Sequence, residues 1–210
     1  SLLACLAGGA VWVPLAVEPR DARLALVLAD AGPVLLITDA AGAARMDGGA
    51  PPILDLECEK RAVKAMKPLA KPLRLRRKDP AYMIYTSGST GQPKGVLVSH
   101  GALAEHCAAA IQSLGLTRRD AVLHFSPPTF DPALEQILTT MATGGRLVIR
   151  GADLWSPAEL MRVLRELEVA VADLPPAYLR EALLAWAEAG ETVEPPALRL
   201  LIVGGEAAPP

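Results

Sequence analysis

The chain lacks the bulk properties that mark nucleic-acid-binding, membrane and secreted proteins. Its formal net charge is −2 over 210 residues, which gives no argument for nucleic acid or an anionic membrane as a partner. No run of apolar residues reaches the roughly 18 that a membrane-spanning helix needs. The apolar start, residues 1–17, has no basic segment before it, and we interpret it as a helix and a short strand, not a signal peptide.

The sequence is also poor in paired cysteines and in metal-binding spacings. Its three cysteines, Cys5, Cys58 and Cys107, are scattered, and neither a Cys-x-x-Cys nor a His-x-x-x-His pair is present. This pattern indicates a reducing, cytoplasmic location without a disulfide framework, and it offers no candidate metal site. Because His100 and His124 have no serine and aspartate partners at a recognisable spacing, we assign neither of them to catalysis.

One glycine-rich segment stands out, TSGSTGQPKG from Thr86 to Gly95. It combines three glycines, four hydroxyls and one lysine. Glycines let a backbone approach a ligand closely, and successive N–H groups can then bind an anion. The segment therefore predicts a loop that binds the phosphates of a nucleotide. The candidate phosphate-binding residues are Thr86, Ser87, Gly88, Ser89, Thr90, Gly91, Lys94 and Gly95.

The residues on either side of this loop exclude several other interpretations of it. Residues 81–85 and 95–99 are apolar runs of strand length, so the loop joins two predicted strands and is not a flexible Ser/Gly linker. A Walker A loop requires Gly-Lys-Ser/Thr followed by a helix, whereas Lys94 precedes Gly95 and a strand. The Rossmann fingerprint Gly-x-Gly-x-x-Gly is absent as well.

The rest of the chain alternates between predicted helices and predicted strands. Before the loop we expect a helix ending near residue 8, strands at 10–14, 34–38 and 53–56, a helix at 21–31, a surface loop at 40–52 and an irregular basic connector at 60–78. After it we expect helices at 100–114, 132–141, 157–167 and 176–188, and strands at 121–125, 146–149, 169–173 and 198–203. This alternation predicts an α/β fold with largely parallel sheets.

Polar and glycine residues follow several of these strands closely. Asp131, Asp173 and Gly204 each come shortly after an apolar run. In open α/β sheets, ligands bind at the carboxyl ends of the strands. These positions are therefore candidates for a ligand site.

Taken together, the segments resemble one known family. TSGSTGQPKG, with AYMIY before it and VLVSHGAL after it, resembles the phosphate-loop signature of the adenylate-forming enzymes. Within them, the sequence is most similar to the amino-acid-activating adenylation domains of nonribosomal peptide synthetases. The opening segment LAGGAVWVPL is similar to an early part of these domains, so the resemblance covers nearly the whole chain. It implies that residues 1–210 are part of an AMP-binding adenylation domain, with the N-terminal region of the adenylate-forming fold.

The resemblance implies a reaction and a set of partners. ATP and an amino-acid carboxylate would give aminoacyl-AMP and pyrophosphate, with Mg²⁺ bridging the phosphates. The loop and Lys94 would hold the departing pyrophosphate, which is catalysis by positioning and charge. The activated acyl group would pass to the phosphopantetheine thiol of a carrier protein, and carrier and condensation domains of the same assembly line would be partners.

A second motif, Phe130-Asp131, resembles the substrate motif of the family. By itself, Asp131 followed by Pro132 is an ordinary helix start with aspartate as the N-cap. In the family, this aspartate pairs with the α-ammonium of the amino acid, and a buried ammonium does need a counter-charge. The resemblance implies a substrate pocket formed by Asp131, Pro132, Glu135, Asp173, Ile202 and Gly204, and an adenine-binding segment of Gly204, Gly205 and Glu206.

The pocket residues predict the charge of the substrate side chain. Glu135 and Asp173 would bring two carboxylates into one small pocket, where they repel each other unless a cation lies between them. We therefore expect a basic amino acid, namely lysine, ornithine or arginine. The alternative is that Glu135 faces solvent.

Some family segments do not occur in this sequence. There is no Tyr-Gly-Pro-Thr-Glu, no Thr-Gly-Asp for the ribose hydroxyls and no C-terminal subdomain with its catalytic lysine. The family has all of these downstream, so we expect an N-terminal piece that is inactive alone. Three alternatives remain open: an acyl- or aryl-CoA ligase of the same superfamily, which would have no ammonium for Asp131; a non-catalytic nucleotide-binding module; and a purely structural α/β domain.

Overall fold

The computed structural model describes residues 1–16, 22–46, 51–68, 71, 73–87, 92–190 and 195–205. The chain divides into two compact units, Ser1–Ala104 and Glu105–Pro210. Helix α5, His100–Leu114, crosses the division between them. Its bounds agree with the helix predicted from the sequence.

Within the described residues, the first unit has four helices before α5 and two two-stranded sheets. Strands β1 and β2 pair in parallel, and strands β3 and β4 pair antiparallel. Trp12 extends the second sheet, because its N–H donates to the Ala81 carbonyl at 3.0 Å and its carbonyl accepts from the Met83 N–H at 2.9 Å. The elements in chain order are α1 Leu2–Ala7, α2 Ala22–Ala31, β1 Leu36–Thr38, α3 Ala40–Ala43, β2 Ile53–Asp55, α4 Lys60–Ala65, β3 Pro80–Ser87 and β4 Pro93–Ser99.

Three predictions for this unit were wrong in part. The expected loop at 40–52 contains α3, because the Asp39 carboxylate accepts from the Gly42 N–H at 2.7 Å and caps a run of small residues. The expected connector at 60–78 contains α4, which is built from alanine, lysine and arginine, all strong helix formers. The expected strand at 10–14 is a single bridge at Trp12.

The second unit is a four-stranded parallel sheet with helices on its faces, as the alternation predicts. The strand order is β6-β5-β7-β8. Ser156 and Glu159 form a reciprocal capping box at the start of α7, and Gly144 ends α6 with a positive φ of 73°. The elements are β5 Ala121–His124, α6 Asp131–Thr143, β6 Arg146–Ile149, α7 Pro157–Glu166, β7 Val171–Leu174, α8 Pro176–Glu188 and β8 Leu200–Val203.

Side chains alternate between two cores on opposite faces of this sheet. The larger core includes Leu123 and Leu174 and is completed by α7 and α8. The smaller core includes Val122 and Val171, and the end of α5 packs against it. Since side chains along a strand alternate between faces, His124 and Asp173 lie on the same face as the smaller core. They come at the carboxyl ends of β5 and β7.

Candidate active site

The two ends of the predicted phosphate loop belong to paired strands, β3 and β4. Ser87 pairs with Pro93, Thr86 with Lys94 and Tyr85 with Gly95. The Thr86 hydroxyl also donates across the pair to the Lys94 carbonyl at 3.4 Å. Thr86, Ser87 and Lys94 are exposed at these strand ends, so the Ser87 hydroxyl and the Lys94 ammonium are available to a ligand. The predicted contacts of residues 88–91 lie outside the described residues.

Helix α2 holds the base of the hairpin through Tyr85. The Tyr85 hydroxyl donates to an Asp30 carboxylate oxygen at 2.6 Å, and the Arg23 guanidinium donates to the Tyr85 carbonyl at 3.2 Å. Burial, together with the Asp30 carboxylate, raises the pKa of Tyr85 to about 12. The phenol therefore stays protonated and keeps donating at neutral pH.

Gly95 allows the two strands to pack closely. A Cβ at this position would lie 2.5 Å from the Met83 Sδ and 3.1 Å from the Tyr85 Cζ. Both distances are shorter than ordinary van der Waals contact, so any larger residue would displace these side chains. Gly95 therefore has a packing role in β4, whatever it contributes to phosphate binding.

In the second unit, three candidate positions follow one another across the sheet on the same face. Val122 on β5 pairs with Val171 on β7. His124 lies two residues after Val122, and Asp173 lies two residues after Val171. Asp173 in turn pairs with Ile202 on β8. Ile202 packs against the smaller core. Two residues of α6, Glu135 and Gln136, join these three and are described next. We call the five residues the strand-end cluster: His124, Glu135, Gln136, Asp173 and Ile202.

Gln136 joins the ends of β5 and β7, and sequence reasoning missed it. It is only 5 % exposed. Its side-chain carbonyl accepts from the Phe125 and Ser126 N–H groups at 3.1 and 3.3 Å. Its amide nitrogen donates to the Ser126 hydroxyl and to the Asp173 carboxylate, both at 3.2 Å. The sequence did contain one signal for its burial. Gln136 lies three residues after the buried Ala133, so both residues share one face of α6.

Asp173 is a half-buried carboxylate with a raised pKa. Burial raises the pKa most, the Gln136 hydrogen bond opposes this, and the Glu135 carboxylate raises it further. Of these three causes, the effect of Glu135 is the smallest, and its sign means that the two carboxylates repel each other when both are ionised. A cation between them would stabilise both ionised forms.

Glu135 already contacts one basic group. Its Oε2 atom lies 2.7 Å from Nε2 of His106 on α5, and the Glu135 side chain is 27 % exposed. The same carboxylate adds to burial in raising the pKa of the Cys107 thiol. Glu135 is therefore turned toward α5 and the strand ends, and does not extend freely into solvent.

Asp131 is the first residue of α6, and the N-cap is Phe130. The interpretation of Asp131 as the N-cap was therefore wrong, because Pro132 occupies the second helical position and not the first. The Asp131 side chain is exposed. It makes no hydrogen bond or ion pair with another residue of the described ranges. Pro132 beside it is partly buried.

The segment after β8 is open. Gly204 and Gly205 are exposed, and a Cβ on either would meet no atom of the described residues within 4 Å. Gly205 has a φ of 92°, a conformation that favours glycine. A flat group could approach this backbone closely. The prediction for Glu206 falls outside the described residues.

His124, which we did not assign to catalysis from the sequence, lies at the carboxyl end of β5. Its Nε2 atom is buried and has no hydrogen-bond partner among the described residues. Burial lowers its pKa, and the nearby Arg150 charge lowers it further. A neutral imidazole on the pocket face can donate to or accept from a bound polar group.

Two structural features, a metal-binding cluster and a membrane-spanning helix, are absent from the part of the chain that the structure describes. No group of three or more histidine, cysteine, aspartate or glutamate side chains there could hold a metal ion. Within the same ranges, no helix is both long and apolar enough to cross a membrane.

Comparison with known proteins decides the family. The model of the family described as AMP-binding enzyme matches residues 1–210. The chain belongs to the AMP-binding enzyme family. The resemblance drawn from the phosphate loop and from Phe130-Asp131 is thereby confirmed at the level of the family.

Individual relatives place the chain among AMP-binding adenylation domains. Novobiocin biosynthesis protein H of Streptomyces niveus is 39 % identical over 100 % of this chain and 35 % of its own length. The N-terminal subdomain of Klebsiella oxytoca NpsA has a TM-score of 0.82 and 26 % identity over 99 % of this chain and 51 % of its own. The AMPPNP-bound form of FmoA3, a nonribosomal peptide synthetase, has a TM-score of 0.82 and 25 % identity over 99 % of this chain and 22 % of its own.

These likenesses confirm the predicted α/β fold and show how much of it is present. The chain spans about a third of novobiocin biosynthesis protein H and about half of the NpsA subdomain structure. It is therefore similar to part of an adenylation domain of the AMP-binding family. Roles of single residues within that part remain the predictions given above.

Proposed function

We propose that this chain forms part of a domain that activates an amino acid as aminoacyl-AMP, for loading onto a phosphopantetheinyl carrier protein in nonribosomal peptide synthesis. The observation that carries the proposal is the Asp131 carboxylate. It is exposed at the start of α6, just beyond the end of β5, and has no partner within the described ranges. A carboxylate without an internal partner at the ligand-binding edge of a parallel sheet suits a substrate ammonium.

The hairpin loop takes the nucleotide in this proposal. Lys94 and the Thr86 and Ser87 hydroxyls, all exposed at the strand ends beside the loop, bind the β- and γ-phosphates of ATP. The carboxylate oxygen of the amino acid attacks the α-phosphorus, a P–O bond to the pyrophosphate breaks, and aminoacyl-AMP and pyrophosphate form. Lys94 stabilises the negative charge that develops on the leaving group. Gly204 and Gly205 leave room for adenine against the backbone.

Magnesium fits this site only as a companion of ATP. The described residues contain no group of carboxylates or histidines able to hold a metal, whereas hydroxyls lie at the end of β3. Mg²⁺ commonly keeps several waters and binds through substrate phosphates. When bound, it would neutralise phosphate charge, and the chain's own part is to position the phosphates.

The strand-end cluster favours a basic side chain on the substrate. Burial raises the pKa of Asp173 most, and the Glu135 carboxylate raises it further, so the two acids concentrate negative charge in a partly buried place. A lysine, ornithine or arginine side chain would balance that charge. The Gln136 amide donates to the Asp173 carboxylate at 3.2 Å and so helps to fix its position.

Amino-acid-dependent ATP–pyrophosphate exchange by the intact protein that contains this chain tests the proposal. Each basic amino acid is paired with a neutral one of similar shape, such as lysine with norleucine, ornithine with norvaline and arginine with citrulline. We expect the basic member of one pair to give the higher kcat/KM. A consistent preference for large apolar amino acids would contradict the basic-substrate assignment. Equal activity with carboxylic acids that lack an amino group would instead favour an acyl- or aryl-CoA ligase.

A further inference from the structure

A contact between His106 and Glu135 connects two helices beside the candidate pocket residues. The His106 Nε2 atom and the Glu135 Oε2 atom are 2.7 Å apart. Glu135 lies four residues after Asp131 on α6, so both carboxylates share one face of that helix. His106 lies on α5 and is 60 % exposed. A histidine, and not a permanently charged lysine or arginine, is therefore in contact with a residue of the predicted substrate pocket.

The surroundings of this pair are rich in acidic groups. Glu135 acts electrostatically on Asp173 of β7 and on Cys107 of α5. On β8, the residue paired with Asp173 is the uncharged Ile202. On the two helices themselves, Glu105 and Cys107 flank His106 on α5, and Asp131 lies one turn before Glu135 on α6. His124 on β5 lies on the same sheet face as Asp173, and the Arg150 charge acts on His124.

A protonated histidine changes what this pocket can select. Imidazolium beside Glu135 satisfies that carboxylate and repels a second cation at the same place. Neutral imidazole leaves the Glu135 charge available to a substrate ammonium or guanidinium. Because histidines change charge between roughly pH 5 and 8, the contact can alter charge selection under ordinary conditions.

We propose, on the basis of the function proposed above, that His106 is a specificity-determining residue of this site. Its imidazolium occupies the charge position beside Glu135 that a basic substrate side chain would otherwise take. Protonation of His106 therefore weakens selection for a basic over a neutral amino acid, and deprotonation strengthens it. His106 acts through Glu135 and is a positioning residue, not a catalytic one.

The test measures charge selection as a function of pH in the intact protein. The quantity is the ratio of kcat/KM values for one basic amino acid and its neutral analogue in ATP–pyrophosphate exchange, from about pH 5.5 to about pH 8.5. The α-amino group is common to both substrates and cancels in the ratio. We expect the ratio to rise about threefold or more with pH, which corresponds to a weak, solvent-screened charge interaction.

Two substitutions of His106 separate charge from shape. In His106→Gln the side chain is always neutral, so we expect a ratio that is high and independent of pH. In His106→Lys the cation is permanent over this range, so we expect a ratio that is low and independent of pH. Both side chains suit an exposed helical position. Arg162→Gln is the matched control, because it removes a 60 % exposed cation from the Arg162–Glu166 pair on α7, and it should keep the wild-type profile.

The outcomes distinguish this inference from the function that underlies it. A pH-dependent ratio that persists in His106→Gln would overturn the role of His106 and point to titration of Asp173. A ratio that changes neither with pH nor with either substitution would also overturn the role of His106. The proposed function would still stand in that case, provided that the wild type shows amino-acid-dependent exchange. Absence of amino-acid-dependent exchange in the wild type would overturn both.

Discussion

The Arg199 guanidinium holds both carboxylate oxygens of Asp120, with Nε 2.8 Å from Oδ1 and Nη2 2.9 Å from Oδ2. It also donates to the Leu114 and Gly115 carbonyls at 3.3 and 3.0 Å. Arg199 directly precedes β8, and Asp120 directly precedes β5. This contact therefore ties the start of β8 to the turn between α5 and β5, and so fixes the strand that ends at the candidate pocket.

Removing the arginine should destabilise the second unit. Arg199→Ala leaves the Asp120 carboxylate, whose side chain is 7 % exposed, without its main partner. We expect a loss of about 2 kcal/mol in the free energy of unfolding. Arg199→Lys should recover only part of it, because an ammonium cannot form the two-pronged contact. Urea unfolding of the intact protein measures the effect. Arg162→Gln, which breaks an exposed pair, should cost less than about 0.5 kcal/mol, and an equal loss there would refute the special role of Arg199.

The same contact predicts a pH dependence with a definite sign. The hydrogen bonds from Arg199, helped by those from Thr117, lower the pKa of Asp120 from 3.8 to about 2. Because the folded pKa is depressed, the stabilisation is present above the unfolded pKa and disappears as pH falls toward the folded one. The stability difference between wild type and Asp120→Asn should shrink between about pH 5 and about pH 2. A difference that stays constant over this range would show that Asp120 is not held in its ionised form.

Gly95 should resist replacement by any larger residue. In Gly95→Ala, the new methyl group meets the Met83 Sδ at 2.5 Å and the Tyr85 ring, so we expect a loss of about 1–2 kcal/mol by overpacking and a higher KM for ATP. The double variant Gly95→Ala/Met83→Ala makes room for the methyl group. Adding Gly95→Ala to Met83→Ala should therefore cost less stability than adding Gly95→Ala to the wild type. Thermal unfolding and exchange kinetics measure both effects, and additive losses in the double variant would contradict the steric explanation.

Gln136 should be important for both stability and substrate binding. Gln136→Leu preserves much of the volume but leaves the Phe125 and Ser126 N–H groups without the acceptor that they have now. Each buried, unpaired donor costs about 1–3 kcal/mol, so we expect a clear loss of stability and a raised KM for the amino acid, since Asp173 also loses a hydrogen bond. Thr143→Val on the same helix, which removes only bonds to helix carbonyls, serves as the control. Equal KM values for both variants would refute a role for Gln136 at the pocket.

The comparison of sequence and structure shows which features a single sequence can predict. Helix α8 and strand β6 have their predicted bounds, because long apolar periodicity and proline at a helix start are local signals. Helices α3 and α4 were missed because their residues carry little apolar pattern, and their ends depend on local caps. Family resemblance supplied Glu135 and Asp173 as pocket residues. In the structure the Glu135 carboxylate adds to burial in raising the pKa of Asp173, and their role at a pocket stays a prediction.

Other parts of the site could not be predicted, because they depend on contacts between distant residues. His106 meets Glu135 across 29 positions of sequence, and no local pattern encodes that packing of α5 beside α6. Gln136 looked like an ordinary polar helix residue until its four hydrogen bonds were seen. The roles assigned to residues 88–91 and to Glu206 remain predictions.

Recognition of an α-ammonium by Asp131 is the feature that makes this site one for amino acids. Asp131→Asn keeps the shape of the side chain and removes its charge. In the intact protein we expect it to lower kcat/KM for the preferred amino acid by about 30-fold or more, because the ammonium loses its counter-charge. Its effect on the analogue that lacks the amino group should be small. Asp153→Asn, at an exposed position outside the strand-end cluster, is the matched control.

The most direct measurement is therefore ATP–pyrophosphate exchange by wild type and Asp131→Asn with the preferred amino acid and its des-amino analogue. The predicted result is strong wild-type preference for the amino acid, with most of that preference abolished by Asp131→Asn. Equal use of both compounds by the wild type, or a preference that Asp131→Asn leaves intact, would contradict amino-acid activation at this site.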